Sequence, residues 1–200
     1  MEKIRGLFDL DGVIIDLTKG WLAKYNQEYD DNLTIDEMFG KWDVENAVKP
    51  EARDDIYNML DNADEYASLD PISGAVEGMQ KLHDSGEFDL YILSAFMGKG
   101  GVADGKCRWI DEHLPFVDKD NIILAHDKEL VYGDFLVDDS DKNLLKWMAF
   151  QSPLNSNASA IMMEAPHNKN FDMESSEYSD IDLRVPDWDT LLEYLFSIVA

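Results

Sequence analysis

Asp9 and Asp11 stand one residue apart and lead into Gly12, directly after the apolar run that ends in Leu7-Phe8. Side chains alternate along an extended chain, so both carboxylates project to one side and Leu10 to the other. If residues 3–10 form a buried strand, the two acids flank one point at its carboxyl end, where open α/β sheets bind ligands. Gly12 lets the backbone bend sharply and come close to an anion. Asp and Gly are also ordinary turn formers, so a plain solvated turn explains this stretch equally well if nothing else joins it. A calcium loop does not fit, because its glycine follows three acids at position 6 and Gly12 comes too early.

Partners for the two acids recur in order along the chain. Phe88 to Leu93 reads as a strand ending at Ser94, and Phe135 to Val137 as a strand ending at Asp138-Asp139. Lys128 lies between them, in a loop after a further apolar run at 121–125. In a parallel sheet all these positions can converge on one edge. Two carboxylates with a further acidic pair suit a hard cation such as Mg2+, while a hydroxyl and an ammonium suit a phosphate. Each residue also has a plain reading: Ser94 as a turn residue, Lys128 as a surface lysine, and Asp138-Asp139 as a cap for the helix that starts near Asp141.

The elements that must position these groups are legible in outline. From Pro71 onward amphipathic helices alternate with short apolar strands: Gly74 to Ser85, 88–93, 104–114, 121–125, 135–137, a helix around Leu144 to Met148, 160–163, and a closing helix over 191–199. Such alternation predicts an α/β fold with a parallel sheet covered on both faces. Between Leu17 and about Asp70 no strand pattern is found. Thr18 is the expected cap of a first helix, Thr34-x-x-Glu37 has the form of a capping box, and a third helix is expected after Pro50. This stretch reads as a helical insert. The stretches 152–159 and 166–182 read as loops.

Composition narrows the partners. The chain has 200 residues, enough for one domain with a sizeable insertion, and a formal net charge of -25. That field repels nucleic acid polymers and anionic membranes, whose binding depends on Lys and Arg neutralising phosphate. The lone cysteine, Cys107, cannot form an internal disulfide, and neither a signal-peptide core nor a membrane-length apolar run is present. The expectation is a cytoplasmic protein with a small-molecule partner, free to form a homodimer.

Taken together, Asp9-Leu10-Asp11-Gly12-Val13, Ser94 after an apolar strand, Lys128, and Asp138-Asp139 resemble the four motifs of the haloacid dehalogenase (HAD) superfamily of aspartate-nucleophile phosphotransferases. More closely, the chain is similar to the 5'(3')-deoxyribonucleotidases. The similarity lies in residues 9–16, Pro71 with Gly74-Ala75-Val76-Glu77, Asp127-Lys128, Leu136-Val137-Asp138-Asp139, His167-Asn168 and Asp187-Trp188. It implies a Rossmann-like three-layer core made of residues 1–16 and 71–200, with residues 17–70 as a small helical cap. It also implies a Mg2+-dependent phosphomonoester hydrolase acting through an aspartyl-phosphate, with a nucleoside monophosphate as substrate. Asp9 is then the nucleophile and Asp11 the acid and base. Ser94 and Lys128 bind the phosphoryl oxygens. Asp9, the Asp11 backbone carbonyl and chiefly Asp139 hold the metal, with Asp138 behind them. Trp42 becomes a candidate wall for the base, and Lys106 the rival phosphate lysine. At the second motif this chain has Ser94-Ala95 where the nucleotidases carry Thr-Ser.

Other readings compete. A sugar phosphatase or phosphomutase of the same superfamily shares all four motifs. Gly100 to Lys106 fits the Gly-x-x-x-x-Gly-Lys pattern of a P-loop nucleotide hydrolase, but Cys107 stands where a Ser or Thr would meet Mg2+. A non-catalytic acidic binding protein on the same fold is the remaining alternative.

Overall fold

The computed structural model describes residues 3–38, 44–96 and 101–199. Six parallel strands form one sheet in the order β3-β2-β1-β4-β5-β6. They are β1 (Ile4–Phe8), β2 (Phe88–Ser94), β3 (Ile122–Leu124), β4 (Phe135–Asp138), β5 (Ser159–Met163) and β6 (Leu183–Val185). The two-residue period of each strand divides the core. Phe8, Ile92, Val137, Ile161 and Met163 join a cluster with Met79, Trp109 and Trp188, whereas Leu7, Leu93, Leu136 and Met162 join one with Leu144 and Trp147. One face is therefore covered by α3 (Ala75–Ser85), α4 (Gly101–His113) and α6 (Trp188–Ser197). The other is covered by α5 (Asp141–Gln151) with Tyr178 and Ile181. This is the three-layer α/β arrangement expected from the alternating pattern.

Between β1 and α3 the described residues form α1 (Leu17–Tyr29), four single 3-10 turns and α2 (Ala63–Ala67), with no strand among them. The segment leaves and re-enters side by side: Ile72 donates to the Ile14 carbonyl at 2.8 Å and Asp16 to that of Asp70 at 3.0 Å. It holds a small core of its own, Tyr25, Val48, Ala52, Ile56 and Met59, with Trp21 stacked on Tyr25 and Tyr25 on Tyr29. It also packs on α4. A Cβ on Gly101 would run into the Asp61 carbonyl, and one on Gly105 would come 2.7 Å from Tyr66 Cβ.

Several expectations need correction. Asp16, not Thr18, caps α1, accepting from Lys19 N at 3.0 Å. The helix expected after Pro50 is a pair of 3-10 turns, Pro50–Ala52 and Ile56–Asn58. The capping box of Thr34 and Glu37 forms, but starts only the 3-10 turn Ile35–Met38. Ser140, rather than Asp138 or Asp139, caps α5, because both acids are turned into the site described below. Of the Gly100 to Lys106 pattern, Gly100 lies outside the described residues; residues 101–106 are the first turns of α4, where Gly101 and Gly105 allow close packing against Asp61 and Tyr66. Strand β6 was not anticipated. It has three residues with Arg184 at its centre, too short and too polar to show a pattern.

Candidate active site

The register of the sheet gathers the chemistry. Phe8 lies opposite Ile92 on one side and Val137 on the other, so Asp9, Ser94 and Asp138 emerge together at the carboxyl edge. Asp9 N donates to the Val137 carbonyl at 2.9 Å and locks the two central strands together there. Gly12 then turns the chain back at φ 73°, in the left-handed region, and Gly12 N donates to the Ile15 carbonyl at 3.0 Å. A Cβ at this position would overlap the Asp139 carboxylate.

Each of the first two carboxylates has its own buried lysine. Lys128 Nζ lies 2.9 Å from Asp9 Oδ1 and 2.6 Å from Asp138 Oδ2. Lys106 Nζ lies 2.6 Å from Asp11 Oδ2, 2.8 Å from Ser94 Oγ and 2.5 Å from the Ala95 carbonyl. Both lysines are 1% exposed. The two lysines that the sequence made rivals thus stand in one site on different partners. Asp138 is held by two further donors, Ser140 N at 2.9 Å and Asn143 Nδ2, which reaches both carboxylate oxygens at 3.1 and 3.2 Å. Asp9, Asp138 and Asp139 each bring an oxygen within 4.8 Å of the others. Ser94, Lys128, Lys106, Asp9, Asp11, Asp138 and Asp139 therefore share one site. Trp42 lies outside the described residues.

Electrostatics follow from crowding. Burial works to lower the Lys128 pKa, but Asp9 and Asp138 outweigh it and hold the ammonium charged beyond the ordinary lysine range. Burial pushes the Asp138 carboxyl up, with Lys128 opposing. Burial together with the Asp138 and Asp9 charges pushes Asp139 well above the usual carboxylate range. Four carboxylates face two ammonium groups, which leaves two negative charges when all are ionised. A hard divalent cation with oxygen ligands fits both that imbalance and the donor set.

Three contributors are not among the site residues the sequence predicts, and His167-Asn168 enters there only through the family resemblance. Tyr66 of α2 donates its hydroxyl to Asp11 Oδ1. Burial, then the Asp11 charge, raises its phenol well above the ordinary tyrosine value, so it remains a donor. Asn168, fully buried, donates to the carbonyls of Asp139 at 2.9 Å and Met163 at 2.8 Å and accepts from Ala165 N at 2.9 Å. His167 sits with Nε2 3.0 Å from the Asp139 carbonyl; burial keeps its pKa low and the ring neutral at pH 7.

Solved structures share this architecture. A haloacid dehalogenase-like hydrolase from Burkholderia xenovorans matches over 100% of both chains with a TM-score of 0.61 and 15% identity. A magnesium-bound HAD-hydrolase from Bacillus subtilis covers 100% of this chain and is 99% covered itself, with a TM-score of 0.60 and 15% identity. The fold is that of the haloacid dehalogenase superfamily. Within it, the family described as "5' nucleotidase, deoxy (Pyrimidine), cytosolic type C protein" matches residues 3–189, and the chain belongs to that family, whose members are phosphomonoester hydrolases of the HAD type. A 5'(3')-deoxyribonucleotidase of Clostridium acetobutylicum is 35% identical over 161 residues, 80% of this chain and 82% of the relative. The cytosolic-type human 5'(3')-deoxyribonucleotidase is 28% identical over 145 residues, 70% of this chain and 72% of the relative. These relationships set aside the non-catalytic binding protein as well as the P-loop hydrolase. No helix among the described residues is long and apolar enough to cross a membrane.

Proposed function

We propose that this chain hydrolyses deoxyribonucleoside monophosphates by transferring the phosphoryl group to Asp9 and then to water. The observation that carries the reading is the pairing of two neighbouring carboxylates with separate buried lysines, Asp9 with Lys128 and Asp11 with Lys106. Equal environments would give the two acids equal roles; here the nucleophile and the proton carrier are held by different cations. The names of the relatives supply the substrate class.

In the first half-reaction an Asp9 oxygen attacks phosphorus, the bond from phosphorus to the ester oxygen breaks, and its electron pair stays on that oxygen. Asp11, protonated, hands its proton to the leaving oxygen. In the second half Asp11, now a carboxylate, takes a proton from water as that water attacks the aspartyl-phosphate, and Asp9 is released. Lys128 holds and orients Asp9, Ser94 offers its hydroxyl to the phosphoryl oxygens, and Lys106 brings its positive charge to the same site. Mg2+, held by Asp9, Asp139 and the Asp11 carbonyl with Asp138 behind them, would offset the negative charge of phosphate and nucleophile. Residues 17–70 act as the cap that closes over the substrate and sets its identity.

Phosphate release from thymidine 5'-monophosphate with Mg2+ tests the reading. Turnover that Asp9→Asn abolishes supports it, and turnover unchanged in that variant rejects it.

A further inference from the structure

We propose that Tyr66 is a positioning residue for Asp11, through which the cap segment sets the proton carrier; this rests on the assignment of Asp11 as acid and base. The Asp11 carboxylate is clamped from two sides. Lys106 of α4 takes Oδ2 at 2.6 Å, while the Tyr66 hydroxyl of α2 takes Oδ1. A carboxylate held at one oxygen can still swing about its side-chain bonds; one held at both cannot, so its remaining lone pairs point in fixed directions.

Tyr66 is itself held for this task. It is 2% exposed, on a short helix capped by Asn62, whose side chain accepts from Asp64 N at 2.8 Å. Its Cβ rests against Gly105, where any larger residue would displace it. Its ring lies 5.6 Å from Lys106 Nζ, so the same side chain steadies the other half of the clamp. Lys24 of α1 ties α2 from the far side through Glu65 at 2.6 Å, and Trp109 of α4 donates to the Leu69 carbonyl at 2.8 Å just beyond it. Among the described residues, Tyr66 is thus a point where the cap segment touches the proton carrier. A cap displaced from α4 withdraws the hydroxyl and leaves Asp11 anchored by Lys106 alone.

The test separates leaving groups. A deoxyribose oxygen leaves poorly without a proton, whereas p-nitrophenolate leaves without help. Tyr66→Phe retains the ring, its contact with Gly105 and its stacking on Lys106, and removes only the hydroxyl. The expected result is a fall of about 10- to 100-fold in kcat/KM for thymidine 5'-monophosphate, with less than about a threefold fall for p-nitrophenyl phosphate, a partial loss of the roughly 10^2- to 10^4-fold that general acid–base catalysis supplies. Gly105→Ala, which keeps the hydroxyl but pushes Tyr66 away, should show the same selectivity and guards against a folding defect in the first variant. Asp11→Asn is the control. If its loss is not selective for the deoxynucleotide, the assignment of Asp11 fails; if it is selective while both other variants lose the two substrates equally, or lose neither, the role of Tyr66 is overturned.

Discussion

Gly12 lies directly against Asp139: a single added methyl at Gly12 would overlap the Asp139 carboxylate, and its φ of 73° is one that side chains rarely adopt. The turn after the first strand and the acid after the fourth therefore interlock. Gly12→Ala should cost about 1–2 kcal/mol from backbone strain alone, and more from displacing Asp139. Thermal unfolding with a phosphate-release assay checks this. A variant of wild-type stability and activity would show that the interlock is not needed.

Lys128→Met leaves Asp9 and Asp138 buried beside each other without their shared cation. Removing one partner of a buried ion pair costs about 3–5 kcal/mol. Chemical denaturation should show a loss of that order, together with loss of turnover. Lys128→Arg should not restore activity, because a planar guanidinium cannot occupy the point between Asp9 and Asp138 that the ammonium fills.

Asn168 reaches the site from behind. Asn168→Ala removes a donor from the carbonyls of Asp139 and Met163; the Asp139 carbonyl keeps His167 Nε2 at 3.0 Å, so the loss should be about 1–3 kcal/mol. Arg184 pins the same loop through the carbonyls of Asn168, Lys169 and Phe171 at 3.0, 3.1 and 3.2 Å. The variant should unfold at a lower temperature and need more Mg2+ for half-maximal activity. Unchanged metal dependence would confine Asn168 to stability.

Removing a carboxylate should have opposite effects with and without metal. Burial, and after it the like charges of Asp138 and Asp9, raises the Asp139 pKa, so Asp139→Asn should raise the unfolding temperature of the metal-free protein, by about 2–4 °C for each kcal/mol relieved. The same change should abolish the stabilisation that Mg2+ gives the wild type. A metal-free variant less stable than wild type, or one still stabilised by Mg2+, would contradict the ligand assignment.

What the sequence could reveal followed from local pattern. The strand ends at Asp9, Ser94 and Asp138, the glycines bounding α3 and the strand-helix alternation all rest on neighbours in the chain. Lys106 drew notice through a glycine pattern whose true cause is packing of Gly101 and Gly105 against Asp61 and Tyr66. Its position beside Asp11, 95 residues away, is set by tertiary contacts. Tyr66 looked like any aromatic residue in a helix, and Asn168 stood out only through the family resemblance, with nothing to show its role, because each gains its meaning from a distant partner. Strand β6 is ordered by pairing with β5, from Leu183 opposite Ile161 to Val185 opposite Met163, and three residues leave no period to read.

The proposed reaction depends most on Asp9 carrying the phosphoryl group. Enzyme mixed with thymidine monophosphate labelled at phosphate, quenched during turnover and digested, should show label on the peptide that contains Asp9. Asp9→Asn should show neither label nor turnover, a fall of about 10^3-fold or more. Steady turnover with label absent from that peptide, or label on a different residue, would contradict it.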